Sequence, residues 1–153
     1  MILSDISFAC NKIRFNYRVS CIISVDGKYL LHRKKGDLFW NLIGGRVMMG
    51  ESSIDAVRRE IWEELGCECK IDSLVHVGEN FFRFNDSDYH ELLMIFHGQL
   101  KNPVREIALE PDLEVRWFTD AELDQISIRP EYTREIIRNP NRVTQWLVND
   151  ERR

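Results

Sequence analysis

The 153-residue sequence lacks any long hydrophobic run. No stretch approaches the roughly 20 apolar residues that a membrane-spanning helix needs. Residues 1–10 also lack the basic start and long apolar centre of a secretory signal. These two absences argue against a membrane protein and an exported one. We therefore expect a protein of the cytoplasm with no membrane partner.

The sequence also has few cysteines and no excess of positive charge. The four cysteines form no CxxC pair, and Cys67-x-Cys69 lacks the second half of a zinc site, so we expect buried, reduced thiols. The sequence has 21 Lys and Arg against 25 Asp and Glu, a formal net charge of −4. This balance argues against a broad nucleic-acid-binding surface, because phosphates would have to be met locally or through a metal. Small anionic substrates are compatible with it.

The length and the hydrophobic patterning suit one domain. A chain of this size buries roughly two thirds of the surface that its unfolded form exposes. No repeat, low-complexity tract or linker interrupts the order of the predicted elements. We therefore predict a single domain over residues 1–153.

Apolar and β-branched runs predict a sheet. Arg18–Val25 and Lys28–His32 form a hairpin, because the Asp26-Gly27 dipeptide between them tolerates positive φ. Further strands are predicted over Phe39–Ile43, Cys69–Val77, Asn80–Phe84, Glu91–Leu100 and Leu113–Phe118.

Capping residues predict the helices. Ser52 is a suitable N-cap and Gly66 a suitable stop, so one helix is predicted over Ser53–Leu65. Later helices are predicted to open near Asp120, to run from Pro130 to Asn139, and to form a last turn or two over Arg142–Val148. Strands on both sides of an amphipathic helix indicate an α/β or α+β sandwich, a mixed sheet covered by helices.

The helix Ser53–Leu65 has two distinct faces. Its apolar stripe consists of Ile54, Val57, Ile61 and Leu65, while another face carries Glu60, Glu63 and Glu64 at i, i+3 and i+4. Carboxylates this close repel one another by a few tenths of a kcal/mol per pair, so a hard divalent cation is their natural partner. By itself such a cluster is more often a solvated face, and Arg59 has a structural alternative as a partner of Asp55.

The wider spacing is more specific than the acids alone. Gly45 is followed by five residues, Glu51, seven residues and then Arg59-Glu60-Ile61-x-Glu63-Glu64-x-Gly66-Cys67. This pattern resembles the signature of the Nudix hydrolases at every polar and glycine position. Cys67 replaces a usually aliphatic residue, and Ile43 replaces a frequent proline. The segment Trp117-Phe118-Thr119-x-x-Glu122-Leu123 also resembles the strand and helix opening that commonly follow in that family.

The resemblance implies a fold, a cofactor and a reaction. The implied fold is a Nudix-like α/β/α sandwich with a mixed β-sheet, and the implied cofactor is Mg²⁺ or Mn²⁺. The implied reaction is hydrolysis of a nucleoside diphosphate linked to another group. Cations bound by the carboxylates would neutralise the phosphates, orient an in-line attack and lower the pKa of the attacking water.

The resemblance also implies roles for individual residues. Glu63 and Glu64 would be metal ligands, and Glu60 a ligand or the base that activates water. Glu51 would assist through metal-bound waters, and Arg59 would orient the carboxylates. The carbonyl of Gly44 would be a further metal ligand. Outside these assignments, Arg46 is the basic residue best placed for substrate phosphates. Glu110 is the candidate for a distal acid, with Glu106, Asp112 and Glu114 as competitors.

The substrate and the assembly are left open by the sequence. A nucleotide sugar such as ADP-ribose and a nucleoside triphosphate are close rivals among small-molecule nucleotide substrates. The alternative function is a catalytically weak module that binds nucleotides as a sensor, and prenyl diphosphate isomerisation has no extra support. Dimers are frequent among similar proteins, so a homodimer is one candidate assembly.

Overall fold

The computed structural model describes residues 3–102, 108–139 and 144–152. Within these ranges three helices are present: α1 (Ser53–Leu65), α2 (Asp120–Leu123) and α3 (Thr133–Arg138). The strands are β1 (Ser7–Cys10), β2 (Ile13–Val25), β3 (Lys28–Lys34), β4 (Phe39–Arg46), β5 (Cys69–Phe84), β6 (Ser87–Leu100), β7 (Leu113–Thr119), β8 (Ser127–Ile128) and β9 (Gln145–Asp150). None of these helices is long and apolar enough to cross a membrane.

The strands form one mixed sheet, as predicted. The order is β7-β3-β4-β2-β6-β5-β9, with β1 paired to β2 and β8 paired to β4. The pairs β2–β6, β4–β8 and β5–β9 are parallel, and the other pairs are antiparallel. The central strand β2 therefore joins the β4 side of the sheet to the β6 side, over residues 13–23 in the parallel ladder.

Helices cover both faces of the sheet. Val19 and Cys21 of β2 belong to a buried cluster that includes residues of α1, whereas Ile22 belongs to a second cluster with Leu123 of α2 and Ile137 of α3. This separation follows from the two-residue alternation of side chains along a strand. The layers are thus α1, sheet, and α2 with α3, which confirms the predicted α/β/α sandwich. The prediction of a single domain over residues 1–153 stays a prediction.

Turn and capping residues determine where the first hairpin turns and where α1 begins and ends. Asp26 and Gly27 have φ of 50° and 73°, so they form the turn between β2 and β3. The Ser52 hydroxyl accepts a hydrogen bond from the Asp55 N–H at 3.1 Å and begins α1. Gly66 has φ of 62° and ends it, as is usual for a left-handed C-cap. Both helix boundaries match the prediction.

The predicted break between two strands near Gly78 is wrong, because β5 continues from Cys69 to Phe84. A Cβ on residue 78 would lie 2.6 Å from the Tyr132 hydroxyl oxygen and 2.9 Å from Nε2 of His76. Gly78 therefore permits a close side-chain approach within a continuous strand. A glycine in a strand pattern has this meaning as often as that of a turn.

The C-terminal prediction is also wrong. The helical turn predicted over Arg142–Val148 is replaced by β9, which pairs in parallel with β5; residues 142 and 143 lie outside the described ranges. A short apolar run does not distinguish a helix from a strand by its period, and here pairing with the sheet decides. In addition, α3 begins at Thr133 rather than at Pro130, and the short strands β1 and β8 were not predicted.

Two burial predictions need correction. Ile54 is 42% exposed, and Ala56 takes its place in the buried face of α1 beside Val57. Cys10 is exposed, whereas the other three cysteines are buried as expected and all four are free thiols. The buried face of α1 therefore consists of Ala56, Val57, Ile61, Glu64 and Leu65.

Candidate active site

Arg59 on α1 holds three carboxylates with one guanidinium. Its Nε and Nη2 donate to the two carboxylate oxygens of Glu51 at 2.7 and 2.9 Å. Nη1 donates to Glu60 at 2.8 Å and to Glu63 at 3.1 Å, and Nη2 also donates to the carbonyl oxygen of Arg46 at 3.0 Å. Such charge-assisted, partly bidentate bonds fix both distance and orientation. Arg59 therefore ties α1 to the end of β4.

The structural alternative for Arg59 is not realised. Asp55 lies 4.0 Å from the guanidinium of Arg58, and both of those side chains are at least half exposed. Asp55 also accepts a hydrogen bond from the Ser52 hydroxyl at 2.7 Å. Arg59 is thus directed to the acids at the other side of the helix.

Glu60 packs directly against Gly45. A Cβ on residue 45 would lie 2.3 to 2.4 Å from the carboxyl carbon and both carboxylate oxygens of Glu60. Only glycine leaves this space free. Gly44 meets a different requirement, since its Cβ would lie 2.1 Å from the carbonyl oxygen of Val19 in the neighbouring strand. The paired glycines therefore serve a carboxylate and a strand pairing; the Gly44 carbonyl as a metal ligand stays a prediction.

The acids held by Arg59 differ in their electrostatics. The hydrogen bonds from Arg59 lower the pKa of Glu51, and the Met48 N–H at 3.0 Å contributes in the same direction. Burial raises the pKa of Glu60 despite its bond to Arg59, and the charges of Glu64 and Glu63 raise it further. Glu51 is thus stabilised as an anion, while a further positive charge near Glu60 would relieve repulsion.

Glu64 is the most buried acid of α1. It is 2% exposed, and its Oε2 lies 2.6 Å from Nδ1 of His32 on β3. Glu64 is therefore the acid of this face nearest the sheet, while Glu60 and Glu63 contact Arg59; its role as a metal ligand stays a prediction. His32 was missed by the sequence reasoning; its only signal was a polar residue at an inward-facing strand position.

Glu110 lies near the C-terminal half of α1. The Leu109 N–H donates to the backbone oxygen of Glu64 at 2.7 Å, which anchors this loop to the helix. Burial raises the pKa of Glu110, and the charges of Glu64 and Glu63 raise it further. The structure therefore brings the distal acid into the electrostatic field of the α1 acids.

The other predicted candidates are less well placed. Glu114 is paired with Arg33 at 2.6 Å, and Glu106 lies outside the described residues. Asp112 is close enough to raise the pKa of Glu110 but is not among its main causes. The Arg46 side chain is 42% exposed and donates to Asp5 at 3.3 Å, so it lies at the rim of the acidic cluster.

The donor set suits a hard divalent cation. All the acids are oxygen donors, which Mg²⁺ and Mn²⁺ prefer. Burial is the main cause of the raised pKa values of Glu60 and Glu110, and the charges of Glu63 and Glu64 raise both further. Within the described residues, no three His, Cys, Asp or Glu side chains already form a metal-binding group. An ion here would therefore need further ligands, and substrate phosphates commonly supply them.

Comparison with known proteins places this geometry in a family. The profile of the NUDIX domain matches residues 14–139. A MutT-like protein of Streptomyces ambofaciens is 34% identical over 104 residues, 68% of this chain and 63% of that protein, so the chain spans less than two thirds of that relative. The oxidized purine nucleoside triphosphate hydrolase of Danio rerio is 31% identical over 76% of this chain and 72% of its own length.

A solved structure agrees with the sequence comparisons. A NUDIX hydrolase from Nitrosomonas europaea superposes with a TM-score of 0.65 and is 26% identical, covering 81% of this chain and 86% of its own. The sequence signature and the three-dimensional arrangement therefore point to the same family.

Proposed function

Because the chain belongs to the NUDIX domain family, we propose that it is a hydrolase that cleaves a pyrophosphate bond in a nucleoside diphosphate derivative with Mg²⁺ or Mn²⁺. Nudix hydrolases generally need divalent metal ions. The observation that carries the proposal is the network in which Arg59 holds Glu51, Glu60 and Glu63 beside the Gly45 backbone.

The proposed metal ligands come from α1 and its neighbouring loop. Glu60, Glu63 and Glu64 would hold the metal, with the Gly44 carbonyl and Glu110 as further oxygen donors. His32 holds Oε2 of Glu64, so Oε1 is the oxygen of that carboxylate left for an ion. The bound metal would neutralise phosphate charge and lower the pKa of the attacking water.

The chain's own groups prepare the site for that chemistry. Arg59 and Glu51 form a rigid pair that holds Glu60 in place, so the carboxylates need little reorganisation when substrate binds. Glu60 would act as a ligand or accept the proton of the attacking water, which its raised pKa favours. Arg46 at the rim would meet a substrate phosphate.

The proposal is tested with the purified full chain and a panel of substrates. The panel contains nucleotide sugars, dinucleotides, canonical nucleoside triphosphates and oxidised purine nucleoside triphosphates, the last because of the name of the Danio rerio relative. Phosphate release is measured with and without added phosphatase, which separates monophosphate products from diphosphate products. We expect turnover that needs Mg²⁺ or Mn²⁺ and stops with a chelator.

The contrary result is a panel without any metal-dependent product. If the protein then still binds nucleotides in calorimetry, it is the sensor module rather than the hydrolase. The intact set of acids and the closed Arg59 network favour the hydrolase. A homodimer and a location in the cytoplasm stay predictions.

A further inference from the structure

His32 is a buried histidine that faces the acids of α1. It is 6% exposed, and its backbone pairs with Asn41 of β4 and Val115 of β7. Val115 belongs to the buried cluster that includes residues of α1, and residues directly opposite each other in an antiparallel pair share one face of the sheet. The His32 ring therefore points toward α1, where its Nδ1 lies 2.6 Å from Oε2 of Glu64.

This contact is shorter and more buried than a comparable pair at the surface. Nε2 of His90 lies 3.4 Å from Oε1 of Glu79, and the two side chains are 36% and 30% exposed. The side chains of His32 and Glu64 are only 8% and 3% exposed. A hydrogen bond to a carboxylate in the interior is strong and directional, because little water competes for either partner. His32 therefore sets the orientation of the Glu64 carboxylate.

Each of the three α1 acids has one carboxylate oxygen that accepts a hydrogen bond. Oε1 of Glu60 and Oε2 of Glu63 accept from Nη1 of Arg59. Oε2 of Glu64 is bound to His32 in the same way. In the part of the chain that the structure describes, the second oxygen of each acid accepts no hydrogen bond. Each acid therefore has one oxygen free for an ion.

The His32 bond limits how Glu64 can bind a cation. A carboxylate binds a metal ion through one oxygen or through both. Binding through both would bring the ion next to Oε2 of Glu64, where the positive end of the Nδ1–H bond already lies. The two positive charges would repel each other, so Glu64 offers a cation its Oε1 alone.

The number of oxygen ligands distinguishes the common divalent ions. Mg²⁺ demands near-ideal octahedral coordination and keeps several waters, and Mn²⁺ also suits an octahedral oxygen site. Ca²⁺ is larger, takes about six to eight oxygens and commonly uses both oxygens of a carboxylate. A carboxylate restricted to one oxygen therefore costs Ca²⁺ a ligand that the two smaller ions do not need.

We propose that His32 is a positioning residue that restricts Glu64 to one metal-binding oxygen and thereby favours Mg²⁺ and Mn²⁺ over Ca²⁺. This inference rests on the proposed function, because it concerns the metal site of that function. His32 contacts neither the ion nor the substrate in this proposal, and it acts through Glu64. Arg59 restricts the other two acids, but its removal also breaks the network that holds them.

The test compares the affinities of the full chain for Mn²⁺ and Ca²⁺ without substrate. Free Mn²⁺ is measured by its electron paramagnetic resonance signal, and Ca²⁺ by competition against Mn²⁺. We expect His32→Leu to weaken Mn²⁺ binding about tenfold, because Glu64 loses its orientation. The affinity for Ca²⁺ should change less than about threefold, since the released Oε2 becomes a ligand. The ratio of the Ca²⁺ to the Mn²⁺ dissociation constant should therefore fall.

Conservative variants separate the hydrogen bond from packing. The amide of His32→Asn places an N–H near the position of Nδ1, so it should restore most of the preference for Mn²⁺. His32→Gln keeps a polar side chain of similar volume but places its donor farther along the side chain. If His32→Leu does not fold, as judged by circular dichroism, His32→Gln takes its place and should change the ratio in the same direction.

Two control variants lie away from the acids of α1. His90→Leu removes the histidine of the exposed pair with Glu79, whose ring packs against Phe15 and Phe81. Glu68→Gln removes an exposed carboxylate that is paired with Lys101. Neither control should change the ratio of the two dissociation constants, because neither residue contacts Glu64.

Two results would overturn the inference. In the first, His32→Leu weakens both ions in equal proportion, which assigns His32 a purely structural role. In the second, neither affinity changes. If the wild type also hydrolyses a substrate with Mg²⁺ or Mn²⁺, either result removes this inference and leaves the proposed function standing. A wild type that binds no Mn²⁺ and releases no product contradicts the proposed function, and this inference fails with it.

Discussion

The acidic cluster around Arg59 and the polar pocket, which is lined by residues such as Arg18, Ser20, Glu91 and Thr133, are both half-buried polar sites, but they are built in opposite ways. In the cluster, Arg59 alone makes five hydrogen bonds to groups of the same chain, and Glu64 is bound to His32. In the pocket, the Thr133 hydroxyl and one oxygen of Glu91 are left without partners within the described residues. The cluster is held by internal bonds, whereas the pocket leaves polar groups without a partner among the described residues.

This difference indicates a division of labour. Groups that handle a reacting phosphate need fixed positions before the substrate arrives, because reorganisation during the reaction raises the barrier. Groups that recognise a substrate gain most when their hydrogen bonds are open until it binds. Removal of a side chain should therefore destabilise the fold in the cluster and spare or stabilise it in the pocket.

The largest expected effect is the loss of Arg59. Arg59→Met leaves Glu51 and Glu60, whose side chains are 11% and 14% exposed, without their cation. We expect the free energy of unfolding to fall by about 3 kcal/mol, as for other broken buried pairs. Urea unfolding measures it. Arg58→Met is the matched control, with a change within about 0.5 kcal/mol, because its pair with Asp55 is exposed and long.

Lowering the pH should reduce the difference in unfolding free energy between the wild type and Arg59→Met. Arg59 lowers the pKa of Glu51, so the stabilisation is fully present above the pKa of the unfolded state, which for Glu is about 4.3. It is lost as the pH falls through the lower pKa of the folded state. The gap in unfolding free energy between wild type and Arg59→Met should therefore be largest near pH 7 and narrow as the pH falls, since the loss of Arg59 also raises the pKa of Glu60. A gap that widens on acidification would contradict the assignment of Glu51 as the main partner.

Substitution of Glu63 should lower turnover and leave the stability of the fold nearly unchanged. Its side chain is 43% exposed, and its bond to Arg59 is the longest of those to the acids, at 3.1 Å. Glu63→Gln should change the unfolding free energy by no more than about 0.5 kcal/mol. It should lower kcat by about 100-fold, a typical cost of removing one group that stabilises transition-state charge. Glu68→Gln serves as control, and near wild-type turnover of Glu63→Gln would remove it from the proposed ligands.

The two sites were unequally predictable from the sequence. The residues of the cluster that lie on α1 and before it are close in the chain, so helical spacing alone brings Glu60 and Glu63 together. The pocket gathers residues from 18 to 133, and only the register of β2 with β4 and β6 makes Arg18, Ser20 and Glu91 neighbours. Long-range strand pairing of this kind leaves no local pattern.

Contacts between distant elements also explain the errors. His32 was missed because it meets Glu64 only where β3 and α1 pack together, 32 positions apart in the sequence. The strand was predicted to break at Gly78 because the reason for that glycine, the approach of Tyr132, lies 54 positions later in the sequence. Caps and turns such as Ser52, Gly66 and Asp26-Gly27 were predicted correctly because each depends on its immediate neighbours.

The smallest expected effect is that of Thr133→Val, which should stabilise the protein. Thr133→Val keeps the branched shape and removes a buried hydroxyl without a partner, so the free energy of unfolding should rise by about 1 kcal/mol. The same substitution at Thr119 should lower it by about 1 kcal/mol, because that hydroxyl accepts the Glu122 N–H and caps α2. Urea midpoints at unchanged slope measure both. If Thr133→Val destabilised the protein as Thr119→Val does, the hydroxyl would have a partner in the free protein. The contrast between a site closed by its own bonds and one with an unpaired hydroxyl would then fail.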